Sequence, residues 1–447
     1  MLKTFSIGGV HPPDHKISAH ANLELVPPEG VAVIPVSQHL GAPAAPVVAK
    51  GDKVRVGQLI AQSSGFVSAN VHSGVSGTVL AVEPMVCDAS GAKKMCISIQ
   101  VEGDEWVETI NRSKDLVREI ALSQPEIVKK IQECGIVGMG GATFPTHVKL
   151  TVPEGKKATA LIINAVECEP YLTADHRLML EKGEEILIGV ELLKRALNVS
   201  KAYIGIENNK PDAIAHLKNL TKKLQLEGTQ IVPLKVKYPQ GGEKQLIKAI
   251  INKEVPSMGL PIETGAVVQN VATAFAVYEA VQKNKPLVER VVTITGKKVS
   301  KPKNLVVRVG TSVSRLISLV GGAPENTAKI VLGGPMMGKA TASADVPVTK
   351  GTSGVLLLDE KEAHRHAESP CIRCAKCVEA CPMGLEPYLL TRQGKNSLWS
   401  SMEQERVYDC IECGCCLYTC PANVPLLDWV RYGKAEVMKL MKAKIAK

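Results

Sequence analysis

Cys371–Pro382 reads C-I-R-C-A-K-C-V-E-A-C-P and Cys410–Pro421 reads C-I-E-C-G-C-C-L-Y-T-C-P. These are two copies of C-x-x-C-x-x-C-x-x-x-C-P, and they hold eight of the chain's 13 cysteines. Three thiolates at this pitch wrap one iron–sulfur cube, while the proline after the fourth cysteine turns that residue away. Where two such motifs occur together, the fourth cysteine of each ligates the other motif's cluster. The spacing therefore assigns Cys371, Cys374, Cys377 and Cys420 to one [4Fe-4S] cluster, and Cys410, Cys413, Cys416 and Cys381 to a second. Zinc usually takes two separated C-x-x-C pairs and has no use for the third cysteine or the proline. Disulfides need an oxidising compartment, and Met1–Val10 shows no apolar h-region ahead of His11-Pro12-Pro13. Cys415, between two ligands, reads as a small packed residue.

Outward from this region, 447 residues exceed the usual single domain, and 45% hydrophobic content suffices for ordinary cores. Aromatic residues are only 3%, too few for the stacking platforms of a single-strand nucleic-acid binder. The formal charge of +10 falls to about +6 once each cluster with its thiolates is counted at about −2. The basic balance is therefore weak support for a polyanionic partner. No run of ~18 apolar residues is present; Ala266–Val281 comes nearest and is broken by Gln269, Asn270, Thr273 and Glu279.

In chain order, residues 1 to about 40 read as strand and loop. Ala45–Val82 alternates short β-branched runs with Gly51-Asp52, Gly57-Gln58, Gly74 and Gly77, the pattern of a small barrel built from hairpins. It resembles the biotinyl/lipoyl barrel-sandwich fold, but Ser63-Ser64-Gly65-Phe66 lacks the carrier lysine, so a structural module is expected. Lys114–Cys134 reads as a helix leading into the glycine-rich G-I-V-G-M-G-G-A-T-F-P-T-H-V-K of Gly135–Lys149, whose backbone can approach a phosphate. A buried-type strand, Ala160–Val166, ends in E-C-E-P-Y-L-T-A-D-H-R, where open α/β sheets place their ligands. Helices over Glu181–Leu197 and Pro211–Leu224 alternate with strands Ala202–Glu207 and Gln230–Val236, a βαβ series. Tyr238–Lys244 then opens a helix over Gln245–Ile251, and Val268–Thr273 heads another. From Glu289 the pattern turns to strands around one short helix, Ser314–Val320, with a last strand at Lys329–Leu332, a β-grasp arrangement. Residues 340–370 read as a polar connector, and a basic amphipathic helix, Leu426–Lys447, closes the chain.

The Gly135–Lys149 loop and Asn164–Pro170 resemble the flavin-binding subunit of respiratory complex I and its hydrogenase relatives. Gly138, Gly140, Gly141, Ala142, Phe144, Pro145, Thr146 and Lys149 match its glycine-rich motif. Asn164, Ala165, Glu167, Glu169 and Pro170 match the second, Tyr238, Gly241 and Glu243 the third, and Asn270, Val271 and Thr273 the fourth. The resemblance implies that Gly138, Gly140, Lys149, Asn164, Glu167, Gly241, Asn270 and Thr273 hold FMN. It implies that Gly141, Ala142, Phe144, Glu169, Tyr238 and Glu243 face NADH. Met139, Val166 and Lys244 replace that family's arginine, aspartate and threonine; the first two changes imply lost polar contacts to flavin.

Phe5-Ser6-Ile7-Gly8-Gly9-Val10-His11-Pro12, the barrel and the two cysteine motifs are similar to the RnfC family, peripheral NADH-oxidising subunits of Rnf electron-transport complexes. That resemblance covers essentially the whole chain. It implies a multidomain α/β protein with an N-terminal barrel-sandwich hybrid (1–110), a Rossmann-like FMN/NADH domain of the complex I flavin-subunit type (111–285), a β-grasp SLBB domain (286–345) and a helical two-[4Fe-4S] ferredoxin-like domain (360–447). The implied cofactors are FMN and two [4Fe-4S] clusters, with NAD(H) as substrate and no catalytic side chain. The implied partners are the other subunits of a membrane-bound complex and, through it, ferredoxin, with the chain peripheral on the cytoplasmic face of the cell membrane and no nucleic acid bound. A flavin and iron–sulfur cobalamin reductase shares the flavin loop and cluster motifs but not residues 1–106, and a relay that binds no NADH is the non-enzymatic alternative. Arg373 and Lys376 in the first motif, against Asp409 and Glu412 around the second, predict a higher potential for the first cluster. The closing helix can lie on a membrane or pack on the cluster domain, the latter being the stronger expectation.

Overall fold

Ala160–Asn164 is an unbroken apolar run ending in an amide, as suits a parallel strand covered on both faces. The structure, a computed structural model, describes residues 2–445. In it this strand lies inside a four-stranded parallel sheet, in the order Thr229–Leu234, Ala202–Glu207, Ala160–Asn164, Ala266–Asn270. Leu161 and Ile163 face one core with helices Gly183–Leu197 and Val271–Lys283, while Ile162 faces a second core with helix Glu243–Ile251. The first two helices cross so closely that a Cβ on Gly189 would lie 1.9 Å from the Ala274 carbonyl oxygen. Only glycine allows that approach.

The barrel is two small sheets. One orders Val31–Pro35, Lys93–Val101, Gly77–Val86 and Lys53–Val54, and the other Ala45–Pro46, Leu59–Gln62 and Val71–His72, around a shared aliphatic core. A six-stranded mixed sheet follows, in the order Leu23–Leu25, Lys303–Arg308, Glu289–Thr295, Gly354–Asp359, Thr327–Leu332, Lys339–Thr341, with helix Val313–Ser318 on it. Short helices and the long helix Leu426–Ile445 carry the cysteine motifs.

Several expectations are corrected. The stretch read as a connector, 340–370, contains the buried strand Gly354–Asp359, central in the mixed sheet, since its G-V-L-L-L-D run pairs on both edges. The helix expected over Lys114–Cys134 spans only Gln124–Glu133, starting where Pro125 takes the first turn and Ser123 donates its N–H to Glu126 at 2.7 Å. Ahead of it the carbonyls of Ser113 and Asp115 accept from Lys283, and those of Val117 and Glu119 from Gln282, so this backbone bonds outward instead of to itself. Glu181–Leu197 is joined by an earlier helix, Ala174–Glu181, broken at Lys182. Ala266–Asn270 is a strand, and the helix begins only at Val271 because Asn270 caps it. Residues 2–25 lie outside the barrel sheets: they strap across the α/β domain and end as the edge strand Leu23–Leu25. The closing helix packs by Leu426, Leu427, Val430 and Val437, as the packing expectation had it, and its expected last residues 446–447 lie outside the described ones.

Lys350 fastens three of these units. Its Nζ donates to Asn70 O in the barrel and Gly135 O at the glycine-rich loop, both at 2.7 Å, and its backbone N–H to Gln38 Oε1. Burial lowers its pKa from 10.5 to about 7, offset in part by Cys134. Between those two values the unfolded chain holds more protons at this site than the folded one, so this group makes stability rise with pH there. Lys350→Met should flatten that rise, by up to about 1.4 kcal/mol per pH unit. Urea unfolding of both proteins at pH 7.5 and 9.5 checks it, and parallel pH slopes would count against a titrating lysine.

Candidate functional site

Two asparagines stand at the carboxyl edge of the parallel sheet, because Asn164 and Asn270 are partners in register at the ends of adjacent strands. Asn164 Nδ2 donates to Gly241 O at 2.8 Å, tying in the turn ahead of helix Glu243–Ile251. Asn270 Oδ1 accepts from Ala272 N at 2.9 Å, and its Nδ2 donates to Asp175 Oδ2 at 2.8 Å. The glycine-rich loop lies over this edge. Gly138 N donates to Phe144 O at 2.8 Å, closing the loop, and Met139 N donates to Thr273 Oγ1 at 2.9 Å. A Cβ on Gly140 would sit 3.3 Å from Asn270 Cβ, whereas Gly141, at φ +120°, borders open space with Ala142 exposed beside it. Lys149 Nζ pairs with Glu243 Oε1 at 2.7 Å and donates to Val268 O at 3.2 Å.

The wall of the site is the 166–172 loop, held from behind by buried lysines. Glu167, at φ +48°, accepts from Asp175 N and His176 N, so its carboxylate caps helix Ala174–Glu181. Lys16 Nζ reaches in from the N-terminal strap to the carbonyls of Glu167, Glu169 and Leu172 at 2.6–2.9 Å. Burial, with Lys210 nearby, lowers the Lys16 pKa to about 8. Lys210 Nζ donates to Val166 O at 2.8 Å. Glu169 and Tyr238 lie deeper than the other candidates. The Glu169 carboxylate accepts from Met336 N and Met337 N of the 333–338 loop, at 3.1 and 2.9 Å, and burial pushes its pKa up. Burial also pushes the Tyr238 phenol up, so it stays a donor: its OH lies 3.3 Å from Glu169 Oε1 and 2.9 Å from Cys413 O.

The second cysteine motif is thus seated on the α/β domain. Cys381, Cys410, Cys413 and Cys416 line one cavity with Met383, Leu385, Leu390 and Ile411. Cys377 has Cys420 near it: burial pushes the Cys377 thiol up and Cys420 adds to the shift. Cys371 and Cys374 are exposed. The structure therefore brings Cys381 to the second motif's three cysteines and Cys420 toward the first motif's. Gly8 and Gly9 of the strap press on Cys381, with Gly9 N donating to Ala380 O at 2.9 Å. Cys415 is fully buried, as a packed residue should be.

The groups present fit the implied cofactors. An ammonium at Lys149, the exposed Gly140–Ala142 backbone and two side-chain amides at a sheet edge suit a phosphorylated heterocycle. Four cysteines crowded in an apolar cavity, where burial pushes Cys410 up to about 11, ionise readily only beside a cationic centre such as iron. The three residues that depart from the complex I motifs do not face this space: Met139 and Val166 are buried in the two cores, and Lys244 Nζ lies 3.8 Å from Asp409. Asp175, Arg290, Lys16 and Lys210 complete the site, and sequence reading missed them as site residues. Asp175 sits in the quoted E-C-E-P-Y-L-T-A-D-H-R string, while the others approach from segments carrying no motif at those positions.

Comparison with known proteins finds four family matches: the RnfC barrel sandwich hybrid domain at 3–104, the Nuo51 FMN-binding domain at 131–279, the SLBB domain at 291–340 and a 4Fe-4S dicluster domain at 364–421. The RnfC-type subunit of the proton-translocating ferredoxin:NAD(+) oxidoreductase complex of Clostridium ljungdahlii is 48% identical, over 98% of this chain and 94% of its own. The Na(+)-translocating counterpart from Acetobacterium woodii is 42% identical, over 96% of each chain. A solved NAD+-reducing [NiFe]-hydrogenase structure in the H2-reduced state shares the fold, with a TM-score of 0.51 and 18% identity over 70% of this chain and 63% of that one.

Gly8 tests the seating of the cysteine region. At φ +66° its Cβ would lie 2.4 Å from the Cys381 carbonyl, whereas Gly30, at φ +69°, has nothing within 4 Å. Both alanine variants meet the same backbone penalty, about 1–2 kcal/mol, so Gly8→Ala should exceed Gly30→Ala in lost thermal stability. It should also speed proteolysis of the exposed 364–376 stretch, and equal behaviour of the two variants would show that the contact does not hold the region.

Proposed function

The chain belongs to the RnfC family, subunits of ion-translocating ferredoxin:NAD(+) oxidoreductase complexes, and on that premise we propose that it is the electron-input subunit of such a complex. It takes electrons from NADH through FMN and two [4Fe-4S] clusters and hands them to the other subunits, and so toward ferredoxin. The match of residues 3–104 to the RnfC barrel sets aside the cobalamin reductase alternative. The observation that carries the reading is the seat of Cys381, Cys410, Cys413 and Cys416 against the flavin-type domain, through the Tyr238 OH bond to Cys413 O.

When bound, FMN accepts hydride from NADH as an electron pair, and the clusters take electrons one at a time. Lys149 and the loop backbone at Gly138 and Gly140 offset phosphate charge. Asn164, Gly241 and Asn270 supply the sheet-edge amides and bare backbone, while Thr273 fixes the loop through Met139 N. Glu167 keeps the wall in place by capping the next helix. Gly141, Ala142, Phe144 and Glu243 border the exposed mouth, where NADH enters. Glu169 and Tyr238, which the resemblance turned toward NADH, are assigned to the seam between the flavin domain and the inner cluster. Lys16, bonded to three carbonyls of the wall, keeps that seam rigid.

Cys410, Cys413, Cys416 and Cys381 ligate the inner cluster, and Cys371, Cys374, Cys377 and Cys420 the outer one. Electrons leave from the outer cluster, where Cys371, Cys374 and Ile372 are exposed to a partner. The charge argument for its higher potential loses its basis: Glu412 pairs with Arg431 and Lys434 at 3.0 and 3.2 Å, and Asp409 lies near Lys244. Solvent exposure gives the same order by another cause, since water stabilises the added negative charge. The β-grasp unit is placed at 286–359, to include the strand Gly354–Asp359. Among the described residues no helix is long and apolar enough to cross a membrane. A place on the cytoplasmic face is supported by 13 unpaired cysteines, which fit a reducing compartment.

Anaerobic reconstitution with FMN, iron and sulfide, followed by NADH, should bleach the flavin and then reduce both clusters; an unbleached flavin would rule out NADH input. Cys381→Ala should remove the inner cluster's EPR signal and stop reduction of the outer one while flavin bleaching persists. Cys420→Ala should remove only the outer signal, and the reverse assignment of losses would break the crossed ligation. EPR redox titration should place the outer cluster higher, and Glu412→Gln should leave that order unchanged.

A further inference from the structure

Arg290 begins in a different domain from the site it reaches. It lies on strand Glu289–Thr295 of the mixed sheet and is only 3% exposed. Its Nε donates to Thr352 O at 2.8 Å, within its own domain, and its Nη2 to Met139 O at 2.6 Å, in the glycine-rich loop. The N–H of Met139 is already held by Thr273 Oγ1, so both backbone groups between Gly138 and Gly140 are fixed, one from each domain. The Met139 side chain packs into the aliphatic core. No cation can enter the site from that position, and the guanidinium supplies one from the neighbouring sheet.

Two carboxylates face it, Asp175 and Glu167. Glu167 is spent on the helix cap. Asp175 holds Asn270 Nδ2 at 2.8 Å, at the sheet edge itself, so a chain of contacts runs Asn270, Asp175, Arg290, Met139 around the flavin site. A planar fork that binds two carbonyls and balances a carboxylate is a task for arginine, which lysine's single ammonium does not reproduce.

We propose that Arg290 is a positioning residue of the flavin site, delivered by the β-grasp sheet, and that Arg290 and Asp175 together set the charge under which the flavin is bound and reduced. The inference rests on the reading of the strand-end site as the FMN site. It makes the β-grasp domain part of that site and not a spacer. The titratable groups facing Asp175 are Glu167 from the wall loop, Arg290 from the strand and Lys210 from the turn before helix Pro211–Lys223. Burial first, then Glu167, raise the Asp175 pKa to about 6, against Arg290, Asn270 and Lys210.

The test uses the full-length protein with clusters reconstituted, measuring FMN dissociation constants by fluorescence and FMN midpoint potentials between pH 5 and 8. Arg290→Met should weaken FMN binding at least tenfold, and Arg290→Lys, which keeps the charge but not the fork, should restore only part of it. Asp175→Asn should shift the midpoint potential positive above about pH 6, because an anion that opposes reduction is gone; the two proteins should converge below it, where Asp175 is itself neutral. Wild-type dissociation constants for both Arg290 variants, or a wild-type potential for Asp175→Asn across the range, would overturn the inference while leaving the FMN site standing. Failure of the wild-type protein to bind FMN would overturn both. If Arg290→Met lacks its clusters, and so is misfolded, the Arg290→Lys constant and the near-isosteric Asp175→Asn decide.

Discussion

Two backbone hydrogen bonds, Val10 N to Tyr238 O at 2.8 Å and Tyr238 N to Val10 O at 2.9 Å, are the contact on which the rest of the site depends. They pin an N-terminal segment of the kind that ordinarily frays to the turn before helix Glu243–Ile251. On one side of this point Gly9 bonds the first cysteine motif at Ala380 O. On the other, Tyr171 N bonds Asp14 O and Lys16 enters the wall loop. Tyr238 itself then reaches Cys413 O through its hydroxyl. One short strap thereby sets the flavin-type domain, the wall loop and the inner cysteine cavity in a single arrangement. Electron transfer needs such fixed separation.

The site is backed by buried cations bonded mostly to main-chain carbonyls. Lys16 takes three, Lys350 and Arg290 two each, and Lys210 one beside Glu207. Burying a charge costs several kcal/mol unless its hydrogen bonds are made. Here each bond joins segments distant in sequence, so ammonium and guanidinium groups act as staples between units with separate hydrophobic cores. Their positive charge also gathers behind the one edge where a phosphorylated, reducible group fits. Stiffness and electrostatic bias come from the same residues.

Much was legible because it rests on local chemistry. The cysteine spacing fixed which eight thiols matter, and its crossed pairing agrees with the cavity formed by Cys381, Cys410, Cys413 and Cys416. The βαβ alternation and the glycine-rich loop located the sheet edge, since apolar runs and clustered glycines act within a few residues. Errors fell where long-range partners override local pattern. Gly354–Asp359 looked like part of a connector because its two neighbouring strands, Glu289–Thr295 and Thr327–Leu332, are remote from it in different degrees. Residues 114–122 look helical by composition, yet Gln282 and Lys283 claim their carbonyls.

The sequence by itself determined the family, the order of the four units, the cluster ligands as proposed and the motifs around the flavin site, because each is written as residue type at fixed spacing. Only the tertiary structure decided what stands behind those motifs. It turned Glu169 and Tyr238 to the cluster seam, committed Glu167 to a helix cap and cancelled the acids beside the second motif. It also brought Lys16 from the terminus and Arg290 from another sheet to one loop. The physical reason is that a buried charge is placed by whichever carbonyls and carboxylates enclose it, and those come together only when the domains do.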